Sequence, residues 1–193
     1  MTTFLVAAAL LSLERLFYVW ISHRPRDVER LIRARTRTSP VVAVQWLFAG
    51  FKAIQLSAFV LWVRAFGGPA PWPVWQTAGV MTTAIALVLA GQALNLCVFY
   101  RLGRTGVFYG AQFGYEVAYV RAFPFSWFAH PQYVGAVLSI WGCFLALRFP
   151  HADWYVLPVL ETVYYVIGAR LERPSAPRPT LLPSLESAME GRQ

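Results

Sequence analysis

The chain has 193 residues, 58% of them hydrophobic, 16% aromatic and 13% charged, with a mean hydropathy of +0.48. That is about half the charge of an ordinary soluble domain, which excludes a soluble enzyme and a disordered regulator. The net charge of +8 gathers in a few loops between apolar runs, so it points to membrane topology and not to a nucleic acid partner.

The apolar runs predict an all-α fold: a polytopic transmembrane bundle of about five helices, closed by a C-terminal helical hairpin. The segments are 3–21, carrying Glu14 and Arg15; 41–63, with Lys52 near its middle; 74–100, uncharged; 133–147; and 154–169, with Glu161 inside. The first is read as a retained span, because it has neither a basic start nor a small-residue cleavage site. The last two are short for a bilayer needing roughly 20 helical residues, and Phe149-Pro150-His151-Ala152-Asp153 turns between them. One integral membrane domain is expected over 1–173, followed by a Pro-, Ser- and Glu-rich flexible cytoplasmic tail over 174–193. Cys97 and Cys143 are isolated inside apolar runs and read as core residues.

Orientation follows the arginines, since cytoplasmic loops carry the Lys/Arg excess. The stretch 23–40 holds Arg24, Arg26, Arg30, Arg33, Arg35 and Arg37, and 67–73 holds none; 101–130 holds three, the hairpin turn one and the tail four. This alternation predicts a multi-pass protein whose C-terminus faces the cytoplasm. Tyr18, Trp20, Trp62, Trp72, Trp75, Tyr100, Trp154 and Tyr155 lie near the predicted ends, as an interfacial aromatic belt should. The basic stretch 23–40 is placed against anionic lipids.

Polar groups in spans are expensive unless partnered, which singles out Lys52, Asn95 and Glu161 as members of interhelical pairs. Chemistry is expected instead on one membrane face, between residues 100 and 174. Gly103, Gly106 and Gly110 permit close backbone approach to a ligand or a neighbouring helix. His130-Pro131 opens the fourth span, with Pro at a helix start, and the His there is a base, a ligand contact or a cap. Glu172 stands between Arg170 and Arg173 at the end of the last span.

In this order, Leu102-Gly103-x-x-Gly106-x-x-x-Gly110, Phe123-Pro124-Phe125, Pro131-x-Tyr133-x-Gly135 and Glu172-x-Pro174 resemble the phosphatidylethanolamine N-methyltransferase family. That family belongs to the small integral-membrane methyltransferases, which include isoprenylcysteine carboxyl methyltransferase. The resemblance implies S-adenosylmethionine bound near the cytoplasmic face, S-adenosylhomocysteine as product, no metal, and a membrane lipid as both substrate and solvent. It assigns cofactor binding to Gly91, Leu102, Gly103, Gly106, Gly110, Pro131, Tyr133 and Glu172. Leu89 stands at the first glycine of the family's G-x-G, and Arg173 at the second of its paired acidic residues.

The chemistry of methyl transfer completes the expectation. Glu172 suits the cofactor's ammonium group as a charge-assisted acceptor, and Arg101 or Arg104 suits its carboxylate or a lipid phosphate. Tyr133, Phe125 and Trp127 are candidates for an adenine wall. The acceptor amine must lose a proton, which assigns His130, or else Glu116, as general base. Methylated ammonium is attracted to aromatic faces, and Tyr109, Phe113, Tyr115 and Trp127 are available for it. The expected reaction is methylation of phosphatidylethanolamine and its partly methylated forms. The alternatives are another lipophilic acceptor, such as an isoprenylcysteine carboxylate or a small hydrophobic molecule, and a non-catalytic membrane scaffold.

Overall fold

The computed structural model describes residues 1–68 and 78–172. Trp72, Trp75, the first residues of the expected third span, Arg173, Pro174 and the expected tail lie outside the described residues. Six helices follow in chain order: α1 (Thr2–His23), α2 (Pro25–Arg35), α3 (Pro40–Ala65), α4 (Ala78–Val107), α5 (Pro131–Leu147) and α6 (Val156–Leu171). The described residues contain no strand. Prolines start α2, α3 and α5, where a missing N–H costs nothing and the fixed φ already suits a helix. Ser39 caps α3, its Oγ accepting from the Val42 N–H at 3.4 Å. Helices α1, α3 and α4 are long and apolar enough to cross a membrane, whereas α5 and α6 have 17 and 16 residues.

The basic stretch after α1 is not the simple loop that its charge suggests. Most of it is α2, with Val28 and Ile32 one turn apart and buried against Tyr18, Ile21, Val44 and Phe108. Asp27 pairs with Arg30, and Glu29 with Arg33 at 2.8 Å, as residues three and four apart on a helix can. Two buried apolar residues, with Leu31 exposed beside them, make too short a stripe among so many charges to stand out in the sequence.

Helix α4 runs beyond the expected end at residue 100 and breaks at Gly103, whose φ of 61° and ψ of −176° lie in a region open essentially to glycine alone. Its neighbour is α5, and the seam between them is made of small residues. A Cβ on Gly91 would lie 2.4 Å from the Gly135 carbonyl, and one on Gly142 would lie 2.7 Å from that of Ala84. Such bare contacts let two backbones approach closely where no hydrophobic effect drives helices together.

At one end of the bundle, the turn between α5 and α6 is tied to the end of α3. Arg148, 1% exposed, donates to the carbonyls of Phe66 and Gly68 and pairs with Asp153 at 2.7 Å. Trp62 donates to the same carboxylate at 2.7 Å. A residue counted in the sequence only as a loop charge is thus a buried fastener, satisfying carbonyls of the cap and turn that follow α3.

The intramembrane polar residues are paired across helices, as expected for Lys52 and Glu161. Lys52 of α3 meets Glu14 of α1 at 3.1 Å and donates to Gln55 at 3.0 Å; Gln55 donates to Glu161 of α6 at 2.5 Å. Asn95 lies instead on the α4–α5 seam beside Gly135. The cysteines depart from the core reading: both are free thiols, Cys97 half-buried and Cys143 exposed.

Candidate functional site

Helix α3 and the α4–α5 pair form the two walls of a cavity of about 1040 Å³. Along the walls lie Phe59, Val60, Leu96, Val98, Ile140 and Phe144, and Glu14, Arg15 and Tyr18 of α1 join them. The cavity therefore has a long apolar flank, interrupted by Lys52 and Gln55, with Arg64 and Arg148 toward the ends of α3 and α5 and a polar end opposite them. That end is built by the segment following α4, by the start of α5 and by the end of α6.

Its organising group is Glu172, the residue that caps α6. Tyr109 donates to Glu172 Oε2 at 3.0 Å and Tyr133 donates to Oε1, so each carboxylate oxygen has a phenol. Tyr109 has a φ of 58°, a left-handed conformation that is costly for a bulky residue. Backbone strain is held at the residue that reaches across to α6. Burial pushes the Tyr109 phenol well above its ordinary range, and neighbouring Tyr133 and Glu172 push it further the same way. At neutral pH it is a donor. His130 lines the same end, its ring stacked on Tyr133 at 5.5 Å and 16°.

Of the expected site residues, Leu102, Gly106, Tyr109, His130, Pro131, Tyr133 and Glu172 line this cavity. The others lie elsewhere. Gly91 is in the α4–α5 seam, and Gly103 is the helix break. A Cβ on Gly110 would strike Thr105 at 2.4 Å, so that glycine closes the turn after α4. At Gly106 it would come 2.7 Å from Leu102 and 2.9 Å from Val117, which gives this glycine a packing role besides its place in the wall. Arg101, Arg104 and Glu116 are exposed, and Arg101 donates to the Phe123 carbonyl at 3.3 Å. Trp127 is 77% exposed and meets Phe123 edge-on. Of the other aromatic candidates, Phe125 lines the cavity; Phe113 packs against the cluster around Phe108, and Tyr115 is exposed.

Reasoning from the region 100–174 missed the contribution of α1 and α3. Arg15, Tyr18 and Lys52 all line the cavity; Arg15 and Lys52 are both charges inside expected spans, but of the two only Lys52 was singled out as a member of an interhelical pair. The Arg15 guanidinium is enclosed by rings, 3.8 Å from the centroid of Tyr165, 5.2 Å from Tyr133 and 5.6 Å from Tyr18.

The chain is similar in sequence to known proteins over this same region. Residues 80–177 match the model of a family described as phospholipid methyltransferase. A phosphatidyl-N-methylethanolamine N-methyltransferase of Arabidopsis thaliana is 31% identical over 125 residues, which is 65% of this chain and 68% of the relative. One of the same name from Neurospora crassa is 27% identical over 174 residues, 90% of this chain and 80% of the relative. A phosphatidylethanolamine N-methyltransferase of Rattus norvegicus is 35% identical over 91 residues, 47% of this chain and 45% of the relative. No solved structure matches the chain.

Proposed function

This chain belongs to the phospholipid methyltransferase family, and from that premise we propose that its cavity brings S-adenosylmethionine together with the amine of phosphatidylethanolamine or a partly methylated form. The enzyme is an integral membrane methyltransferase; the cofactor, acceptor and residue roles are the proposal. The observation that carries it is Glu172, a carboxylate held by two tyrosine phenols at the polar end of a cavity with an apolar flank. Names of relatives from a plant, a fungus and an animal support the choice of acceptor.

The residues fit the cofactor. Glu172 is an acceptor for its ammonium group, while Phe125, Tyr133 and Pro131 offer apolar and aromatic surface beside it. S-adenosylmethionine supplies an electrophilic methyl group on a sulfonium sulfur. The protein's part is to hold the acceptor nitrogen in line with that methyl and keep water out, and alignment of this kind is worth about 7–11 kcal/mol. The apolar walls between α3 and α4 receive the acyl chains, so that the headgroup points to the end where Glu172 and His130 stand. An ammonium headgroup must become a neutral amine before it attacks. Desolvation favours the neutral form, and His130 accepts the proton. Glu116, exposed on the surface, takes no part in this arrangement.

Residues 1–173 act as one domain in this reading, since α1 contributes to the cavity that the family region builds. The site and the C-terminus face the cytoplasm. The exposed Arg26, Arg35 and Arg37 lie toward anionic headgroups, each worth about 1 kcal/mol near such a surface. Purified protein incubated with methyl-labelled cofactor and a panel of defined lipids tests the acceptor. Label in methylated phosphatidylethanolamine is expected, whereas label confined to an isoprenylcysteine ester or a small lipophile replaces the acceptor.

A further inference from the structure

Four cations, Arg15, Lys52, Arg64 and Arg148, line the cavity. Arg148 has its guanidinium filled by Asp153 and two carbonyls, and Lys52 has Glu14 and Gln55. Arg64 is exposed. Arg15 differs from all three. It is 6% exposed and reaches Glu14 through Nη2 at 3.3 Å, but its Nε and Nη1 make no hydrogen bond to the described residues. Glu14 is itself shared: Lys52 and Arg15 both reach its Oε2, while its Oε1 has no hydrogen bond to the described residues and does not meet Arg15 Nε or Nη1. Buried donors without acceptors are costly, and more so on a charged group, so a guanidinium left in this state on a cavity wall is short of an anion.

Its position narrows which anion. The Tyr133 ring lies between the two charges: its face is under Arg15 and its hydroxyl is on Glu172. Gly168 of α6 leaves open the space between them, for a Cβ there would sit 3.5 Å from Arg15 Cδ and 3.8 Å from Glu172 Oε1. A buried cation short of acceptors therefore stands beside a carboxylate organised by phenols. A ligand end carrying both a cationic nitrogen and an anion a few bonds away meets both needs at once.

We propose that Arg15 and Glu172 form a two-point clamp for a zwitterionic ligand end, Glu172 taking the ammonium and Arg15 the carboxylate or phosphate. Two ligands of the reaction carry this chemistry: the amino-acid end of the cofactor, and the phosphoethanolamine end of the acceptor. The clamp assigns the anion to α1, outside the family-matched residues 80–177, and takes it away from the exposed Arg101 and Arg104. The three tyrosines hold the guanidinium plane in place while leaving its edge for an acceptor, as Arg forks require. The inference rests on the cavity being the methyl-transfer site.

The test uses the full chain in lipid nanodiscs. S-adenosylhomocysteine and its carboxyl methyl ester are titrated calorimetrically into the wild type, Arg15→Gln, Arg15→Lys and Glu172→Gln. If the anion is the cofactor carboxylate, Arg15→Gln binds S-adenosylhomocysteine about 10- to 100-fold more weakly, as for a lost charge-assisted hydrogen bond. The ester then binds the wild type with a similar deficit, and Arg15→Lys is intermediate. If the anion is the lipid phosphate, nucleotide binding is unchanged in Arg15→Gln while KM for phosphatidylethanolamine rises by a comparable factor with little change in kcat. Should Arg15→Gln fail to fold, the ester titration on the wild type and the KM of Arg15→Lys carry the decision. Unchanged nucleotide binding, no ester deficit and an unchanged lipid KM overturn the clamp, even where Glu172→Gln loses the nucleotide and the methyl-transfer reading stands. Failure of the wild type to bind S-adenosylhomocysteine at all overturns both.

Discussion

Tyr109 and Glu172 are 63 positions apart in the chain, yet Tyr109 Oη lies 3.0 Å from Glu172 Oε2. The contact joins the turn after α4 to the last residue of the bundle, and it aims a carboxylate into the cavity. Removing either phenol should loosen that carboxylate without unfolding the helices. Tyr109→Phe and Tyr133→Phe are each expected to weaken S-adenosylhomocysteine binding about tenfold, the size of one hydrogen bond to a charged group. Glu172→Ala should lose binding altogether in the same titration. Wild-type affinity in both phenylalanine variants would mean that Glu172 is not positioned by the tyrosines.

His130 stacks on Tyr133, and among the described residues no hydrogen bond fixes its ring, which leaves both ring nitrogens open to a substrate. His130→Gln should lower kcat by about 10²- to 10⁴-fold, the usual contribution of a general base, and leave nucleotide affinity within a few-fold of the wild type. Single-turnover methyl transfer beside a binding titration separates the two quantities. An unchanged kcat would reduce His130 to a stacking partner of Tyr133.

The α4–α5 seam gives a prediction about stability. A side chain at Gly142 would meet the Ala84 carbonyl at 2.7 Å and the Val88 N–H nitrogen at 3.0 Å, and backbone does not yield as a side-chain tip does. Gly142→Leu should cost at least the ~1–3 kcal/mol of ordinary overpacking. Gly50 of α3 has nothing within 4 Å of its added Cβ, so Gly50→Ala should gain about 0.5–1 kcal/mol from helix propensity alone. Denaturant unfolding in a fixed detergent compares them, and opposite signs are expected.

The Arg148–Asp153 fastener ties stability to pH. Burial disfavours the Asp153 carboxylate, but hydrogen bonds from Arg148 and Trp62 outweigh it and hold the group below its ordinary 3.8. The folded protein therefore binds this proton more weakly than the unfolded chain does. Its stabilisation is full above 3.8 and is lost as the pH falls through the lower folded value. Asp153→Asn should lower the melting temperature at neutral pH and flatten this acid limb. Arg148→Met should lower the melting temperature as well, because it leaves the Phe66 and Gly68 carbonyls without their buried donor.

Several elements were legible in the chain because their cause is local. Apolar runs become helices in a bilayer, prolines start α2, α3 and α5, and the Phe149–Asp153 turn follows from its own residues. Helix α2 was hidden because an interfacial helix needs only Val28 and Ile32 to dock, and its charges dominate any average. The family motifs pointed to Glu172 and Tyr133, and the chemistry of methyl transfer to Tyr109 and His130; these four do converge. They also marked Gly91, Gly103 and Gly110, whose backbones serve a helix seam, a helix break and a turn, and a bare Cα looks the same in sequence whichever of these it serves.

The sequence by itself determined that the chain is a bundle of membrane helices, which face the basic stretch shares with the glycine-rich segment, and to which family it belongs, because hydropathy, charge count and motif order are linear quantities. Only the tertiary structure decided that Arg15 and Lys52 share a cavity with Glu172, that Arg148 is buried and that Arg101 and Arg104 are exposed outside the lining of that cavity. Helix rotation and tilt set which charge meets which, and those depend on small-residue seams and side-chain fit between elements far apart in the chain.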